Sequence, residues 1–219
     1  MMALAADAVG QGLESVRVRE IPDPTAGPGQ VRVRVAAVSL NSADLKVLEG
    51  QGGAGFIHGK AHPYVVGYDF SGVIDQLGSG VAGIHPGEMV FGFLPYASRT
   101  RNGSCAELVV ADPAWLARKP AGVPHEHAAT LGTAAVTALQ GLRDKLGLRS
   151  GQKVIVHGAS GGVGTFVVQV ARKLGLTVVA TASTAKQIPH SGHESSKPIF
   201  VFRPENVKNS GTSNPTASG

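Results

Sequence analysis

Apolar and polar positions alternate in short runs over the first part of the chain. Residues 16–20, 31–37, 70–77, 89–93 and 104–110 each alternate or run apolar over a strand's length, with Val31, Val33 and Val35 on one face. Pro22, Pro24, Pro28 with Gly29, the stretch 78–80 and Pro86 with Gly87 punctuate them, and such residues reverse a chain. The pattern predicts a β-domain over residues 1–122. One short helix is predicted at 42–48, where Asn41 or Ser42 can cap the first turn and Gly50 can stop the last.

Near Pro120 the period becomes helical. Residues 126–129 and 133–142 are rich in alanine and leucine, and Gly147, Ser150 and Gly151 close that stretch. An apolar run KVIVH (153–157), a glycine loop GASGGVG (158–164), apolar residues at helical spacing over 165–174 and a second apolar run TVVAT (177–181) then follow. Strand, glycine turn, helix and strand make a βαβ unit, so residues 123–183 read as linker helices and the first βαβ unit of a second domain. From 184 to 219 the chain is rich in Ser, Thr, Asn, Gly and Pro, with one apolar patch, IFVF, at 199–202. That composition predicts a disordered tail with one short strand-like segment.

Composition narrows the class. With 219 residues, 42% apolar and 16% charged, the chain has the balance of a water-soluble globular protein, α/β overall. No run approaches the roughly 20 apolar residues that cross a bilayer, so a membrane partner is not expected. The first residues enter strand-like sequence without a leader pattern, which makes the cytoplasm the expected location. Cys105 is the only cysteine and can build neither an internal disulfide nor a multi-cysteine zinc site. The net charge of +5 is scattered over Arg17, Arg34, Lys60, Arg118, Arg143, Lys153 and Arg172, so nucleic acid is not an expected partner. Thirty glycines fit many tight turns and a backbone that approaches a ligand closely.

The glycine loop follows a strand and opens a helix, the context that a dinucleotide site requires; a glycine cluster in an ordinary loop is the alternative. Gly161, Gly162 and Val163 would bring backbone N–H groups to a pyrophosphate, Gly164 would let helix pack on strand, and Ser160 would add a hydroxyl donor. NAD sites place an Asp or Glu at the end of the second strand. Here the window 181–186 holds no carboxylate but has Ser183 and Lys186, which favours a 2′-phosphate and hence NADPH, unless the segment is only a polar turn.

The segments VSLNSADLKVLEG (38–50), VVGYDFSGVIDQLGSGVAGIHPGEMVFGF (65–93), NGSCAELVV (102–110), AATLGTAAVTALQGL (128–142) and VIVHGASGGVGTFVVQVARKLG (154–175) stand in the order and spacing of a known family. Through them the chain resembles the zinc-independent quinone oxidoreductase branch of the medium-chain dehydrogenase/reductase superfamily. The resemblance implies a GroES-like substrate domain, a Rossmann (doubly wound) domain, NADPH between them, and reduction of a small-molecule acceptor, a quinone or an enone. Where zinc-dependent relatives carry metal ligands, this chain has Asn41, Tyr68 and Thr133, none a good zinc ligand. By resemblance Asn41 lines the active-site cleft, Asp44 braces its loop, and Thr137 faces the nicotinamide. The plainer alternatives are a helix cap, a first-turn acid and an ordinary helix residue. Tyr64 and Tyr68 are candidate proton donors or stacking rings, with core tyrosines as the alternative; His58, His62, His85, His125 and His127 show no zinc spacing.

A six-stranded Rossmann sheet needs about 100 residues beyond one βαβ unit. Only 184–219 follow, so the sequence reads as a C-terminally truncated relative that lacks the chain's return to the first domain. Two functions are then expected: the family's NADPH-dependent reduction, or a silent chain that pairs with a full-length subunit or another copy. Weak or absent NADPH binding is expected of a crevice walled on one side.

Overall fold

A computed structural model describes residues 1–51, 63–95 and 103–182, and the backbone of Val201–Phe202. His58, His62, Ser183, Lys186 and the remaining tail lie outside the described residues.

The alternating first part forms two sheets. Strand β1 (Met2–Ala6) pairs antiparallel with β2 (Arg17–Glu20) and with β4 (Tyr64–Val65). The larger sheet is built on β3 (Val31–Ser39), which pairs with β5 (Asp69–Leu77); β5 continues to β6 (Met89–Phe93), and β6 to β8 (Leu116–Arg118). On its other side β3 receives β7 (Leu108–Ala111). Val31, Val33, Val35, Phe70, Ile74, Val90 and Val109 are buried between the strands' inner faces. Each such side chain contributes about 1.5–3 kcal/mol relative to its exposed state.

Residues 104–107, expected as strand, instead stitch the two sheets together. The Leu4 N–H donates to the Cys105 carbonyl at 2.7 Å, and the Cys105 N–H to the Val66 carbonyl at 2.9 Å. Cys105 is thereby sealed, and burial raises its thiol far above the usual range.

β11 (Val201–Phe202) lies within the apolar patch 199–202, where a short strand-like segment was expected, and pairs antiparallel with Ser39 and Val38 of β3. A two-residue pairing of this kind leaves no periodicity in the sequence, and its register is set by the open edge of β3 beyond β7.

Helix α1 (Ser42–Leu48) follows β3. After β8 come α2 (His125–Ala129) and a helix whose central turn, α3 (Val136–Leu139), lies between π-helical stretches Leu131–Ala135 and Gln140–Lys145. Gly141 lies in this helix without a positive φ, and a Cβ there would meet nothing within 4 Å. Gly141→Ala is therefore expected to stabilise the fold by about 0.5–1 kcal/mol, read as a raised denaturation midpoint.

The βαβ unit has the expected bounds at its strands. β9 (Lys153–His157) and β10 (Thr177–Thr181) are parallel, with Val156 opposite Ala180. Helix α4 (Gly162–Lys173) covers one face, where Val167, Val168 and Ala171 meet Val154, Val156 and Val178. Ile155 and Val179, opposite one another, point the other way and are 64% and 52% exposed.

Candidate active site

Register brings the site together. The last residue of β3, Ser39, pairs with the first of β5, Asp69, so Asn41, two residues further on, stands over the start of β5. Asn41 has extended backbone and is the N-cap of α1. Its N–H donates to Asp44 Oδ2 at 2.6 Å, the reciprocal half of a capping box. Asp44 thus ties the first turn of α1 back to the Asn41 backbone.

The Asn41 side chain reaches a group that sequence reasoning did not single out. Asn41 Nδ2 donates to Asp69 Oδ2 at 3.0 Å. The same carboxylate receives Thr133: its backbone N–H donates to Oδ2 at 3.0 Å and its Oγ1–H to Oδ1 at 2.7 Å. Thr133 lies in the π-helical stretch before α3, and its N–H points at Asp69. Local π geometry of this kind recurs at functional sites. The preceding residue, Gly132, presses against the carboxylate, since a Cβ there would lie 2.6 Å from Asp69 Oδ1.

Asp69 is fully buried, and desolvation pushes its carboxyl up to about 6, against the pull of its Thr133 and Asn41 donors. Burial, with Asp69 adding a smaller repulsion, pushes Asp44 up to about 7. Asp44 Oδ1 is buried without a hydrogen-bond partner, which favours the protonated acid at neutral pH.

Of the two residues expected to be catalytic, Asn41 is half-buried within this cluster. Tyr68 is buried: its ring centroid is 6.2 Å from that of Phe93, and its hydroxyl lies 3.2 Å from the buried Tyr64 hydroxyl. Thr137 is exposed and stands four residues beyond Thr133, hence about one turn along the same helix. Among the described residues no three His, Cys, Asp or Glu side chains are grouped to hold a metal ion. No described helix is long and apolar enough to cross a membrane.

A second locus lies at the C-terminal ends of β9 and β10. Gly158 turns the chain with φ +70°, and a Cβ on Gly164 would lie 2.3 Å from the Gly158 carbonyl oxygen, so the turn and the first turn of α4 are in backbone contact. The helical ladder starts with Thr165 N–H donating to Gly161 O at 2.9 Å, ahead of which lie the N–H groups of Gly162, Val163 and Gly164. Gly161 and Val163 are exposed, and Ser160 and Gly162 partly so. Exposed glycine backbone in front of a 12-residue helix fits a pyrophosphate, which the helix N-terminus would attract. At the same rim His157 Nδ1 and Thr181 Oγ1 are 3.0 Å apart. His157 carries no local signal of its own, since only the parallel register places it opposite Thr181.

Residues 27–121 match the alcohol dehydrogenase GroES-like domain. The chain is 37% identical over 183 residues to the spectinabilin polyketide synthase system protein NorB of Streptomyces orinoci, covering 83% of this chain and 8% of that protein. It superimposes on the quinone oxidoreductase of Coxiella burnetii with a TM-score of 0.76 at 33% identity, over 84% of this chain and 57% of that one. A mycobacterial protein complexed with NADPH gives a TM-score of 0.73 at 29% identity, over 84% of this chain and 54% of that one. The chain thus spans just over half the length of these solved structures, and a small part of the polyketide synthase component.

Proposed function

Since the chain belongs to the medium-chain dehydrogenase/reductase superfamily, a family of oxidoreductases, we propose that it reduces a quinone or an enone with NADPH, without zinc. The observation that carries this reading is the Asn41–Asp69–Thr133 cluster. Two of the positions that hold metal in zinc-dependent relatives here spend their polar groups on one carboxylate. The mycobacterial NADPH complex supports the cofactor, and the Coxiella quinone oxidoreductase supports the acceptor class.

NADPH would supply the hydride, which reduces the electron-poor carbon of the acceptor while a proton completes the product and NADP⁺ is released. The chain's own part is positioning. The backbone N–H groups of Gly162, Val163 and Gly164 would hold the pyrophosphate, with Ser160, Ser183 and Lys186 proposed as further cofactor contacts. Thr137 is proposed to line the nicotinamide side. With one Asn41 amide hydrogen on Asp69, the second is free of that carboxylate and would donate to the acceptor's carbonyl oxygen, where negative charge develops during transfer. Tyr68 is proposed as a proton donor acting through the Tyr64 hydroxyl.

NADPH oxidation with a simple quinone tests the reading. Turnover that falls about 100-fold in Asn41→Ala is expected, as for loss of one oxyanion donor. A folded wild-type chain that leaves NADPH unoxidised with both quinone and enone acceptors would overturn it. The alternative, a silent chain that pairs with another subunit, draws on the exposed Ile155–Val179 pair.

A further inference from the structure

We propose that Asp69 is the positioning residue of this site: its carboxylate ties the Asn41 amide to Thr133, and so fixes the acceptor-binding group relative to the helix face that carries Thr137. The proposal rests on the functional reading above and adds to it a residue outside the positions that hold metal in zinc-dependent relatives.

Three donors from two separate parts of the chain converge on Asp69. One comes from the cap of α1, and two come from the π-helical stretch ahead of α3. The carboxylate is fully buried and has Gly132 against Oδ1, so its own rotamer is confined. With Nδ2 on Asp69 Oδ2, the Asn41 amide cannot flip, because a flip would set its carbonyl oxygen against a carboxylate oxygen. The Thr133 hydroxyl is fixed in the same way by giving its proton to Oδ1.

Capping does not account for the arrangement. Asp44 already satisfies the Asn41 backbone N–H, so the helix start has its cap without Asp69. Nor does stability call for a carboxylate here, since a buried charge with its donors is roughly matched by an apolar side chain of similar volume. What the carboxylate adds is a fixed relation between groups from two elements. Misplacement of a positioned group by about 1 Å can cost on the order of 100-fold in rate.

Thr133→Val tests this. It keeps the volume and the backbone N–H bond, removes the hydroxyl arm, and makes no direct change at Asn41. In the isotope-labelled full chain, the Asn41 side-chain amide resonance is expected to shift in Thr133→Val and to return towards wild type in Thr133→Ser. Asp69→Asn should shift it further, but Thr133→Val decides the matter whether or not that variant folds. In turnover with NADPH and a quinone, kcat of Thr133→Val is expected to fall about 10-fold, with KM for NADPH changed less than about 2-fold. An unmoved Asn41 resonance, or a raised KM at unchanged kcat, overturns the proposal. If the wild-type chain shows no turnover, the functional reading fails, and the resonance alone decides whether Asp69 orients Asn41.

Discussion

Acidifying the chain from about pH 8 to about pH 5.5 is expected to raise its melting midpoint by about 5 °C. The cause is the buried acid pair. The folded carboxyls of Asp44 and Asp69 titrate near 7 and 6, above the ordinary value of 3.8, chiefly because burial penalises their charged forms. The folded chain therefore holds these protons more tightly than the unfolded chain. Their contribution is fully present below the ordinary carboxylate range and is lost as the pH rises through about 6 to 7. At about 1.4 kcal/mol per pH unit for each group, Asp44 contributes about 2 kcal/mol over this range and Asp69 less. His125 works against them, since burial lowers its folded pKa and it destabilises the fold as it becomes charged. In Asp44→Asn the rise should shrink to below about 2 °C. Thermal scans across this pH range give the answer, and equal slopes in the variant and the wild type would refute the assignment.

Two glycines of one loop are expected to fail in different ways. A Cβ on Gly164 would lie 2.3 Å from the Gly158 carbonyl oxygen and 2.8 Å from the Ala159 Cα, both backbone atoms that cannot rotate aside. Gly164→Val must therefore part the helix from the turn, at a cost of about 1–3 kcal/mol, and should lower both the melting midpoint and NADPH affinity. Gly161 has an ordinary φ of −78°, and its nearest obstacle is the Gly158 carbonyl oxygen at 3.3 Å. Gly161→Ala asks the Gly158 carbonyl to give by only a few tenths of an ångström, so it should lower the midpoint less than Gly164→Val does, while weakening NADPH binding about 10-fold because the added methyl crowds the cradle. Calorimetry and a fluorescence titration separate the two effects. Wild-type NADPH affinity in Gly161→Ala would mean that the loop is only a turn.

What the sequence disclosed follows from how local each signal is. The bounds of α1, β6, β9 and β10 agree with the readings because period, cap and stop residues all lie within a few positions of each other. Asn41 as a cap and the glycine loop before α4 were legible for the same reason. Asp69 was not, because its role depends on a register that sets Ser39 opposite it and on a π-helical distortion that turns the Thr133 N–H towards it. The nearest available signal was its position after Tyr68 in the Gly67-Tyr68-Asp69 triplet, where strand alternation sends adjacent side chains to opposite faces. The apolar patch at 199–202 marked β11, but its partner β3 could not be read, since two residues carry no register.

The sealed thiol of Cys105 takes on a meaning from the chemistry proposed for the site. An acceptor electron-poor enough to take a hydride is also open to conjugate addition of a thiolate, which forms a carbon–sulfur bond. Cys105 is the chain's only sulfhydryl, and in the folded state it is fully buried and held as the neutral thiol. Burial, with a smaller push from Asp44, thus keeps this thiol from meeting an electrophile of the kind proposed as acceptor.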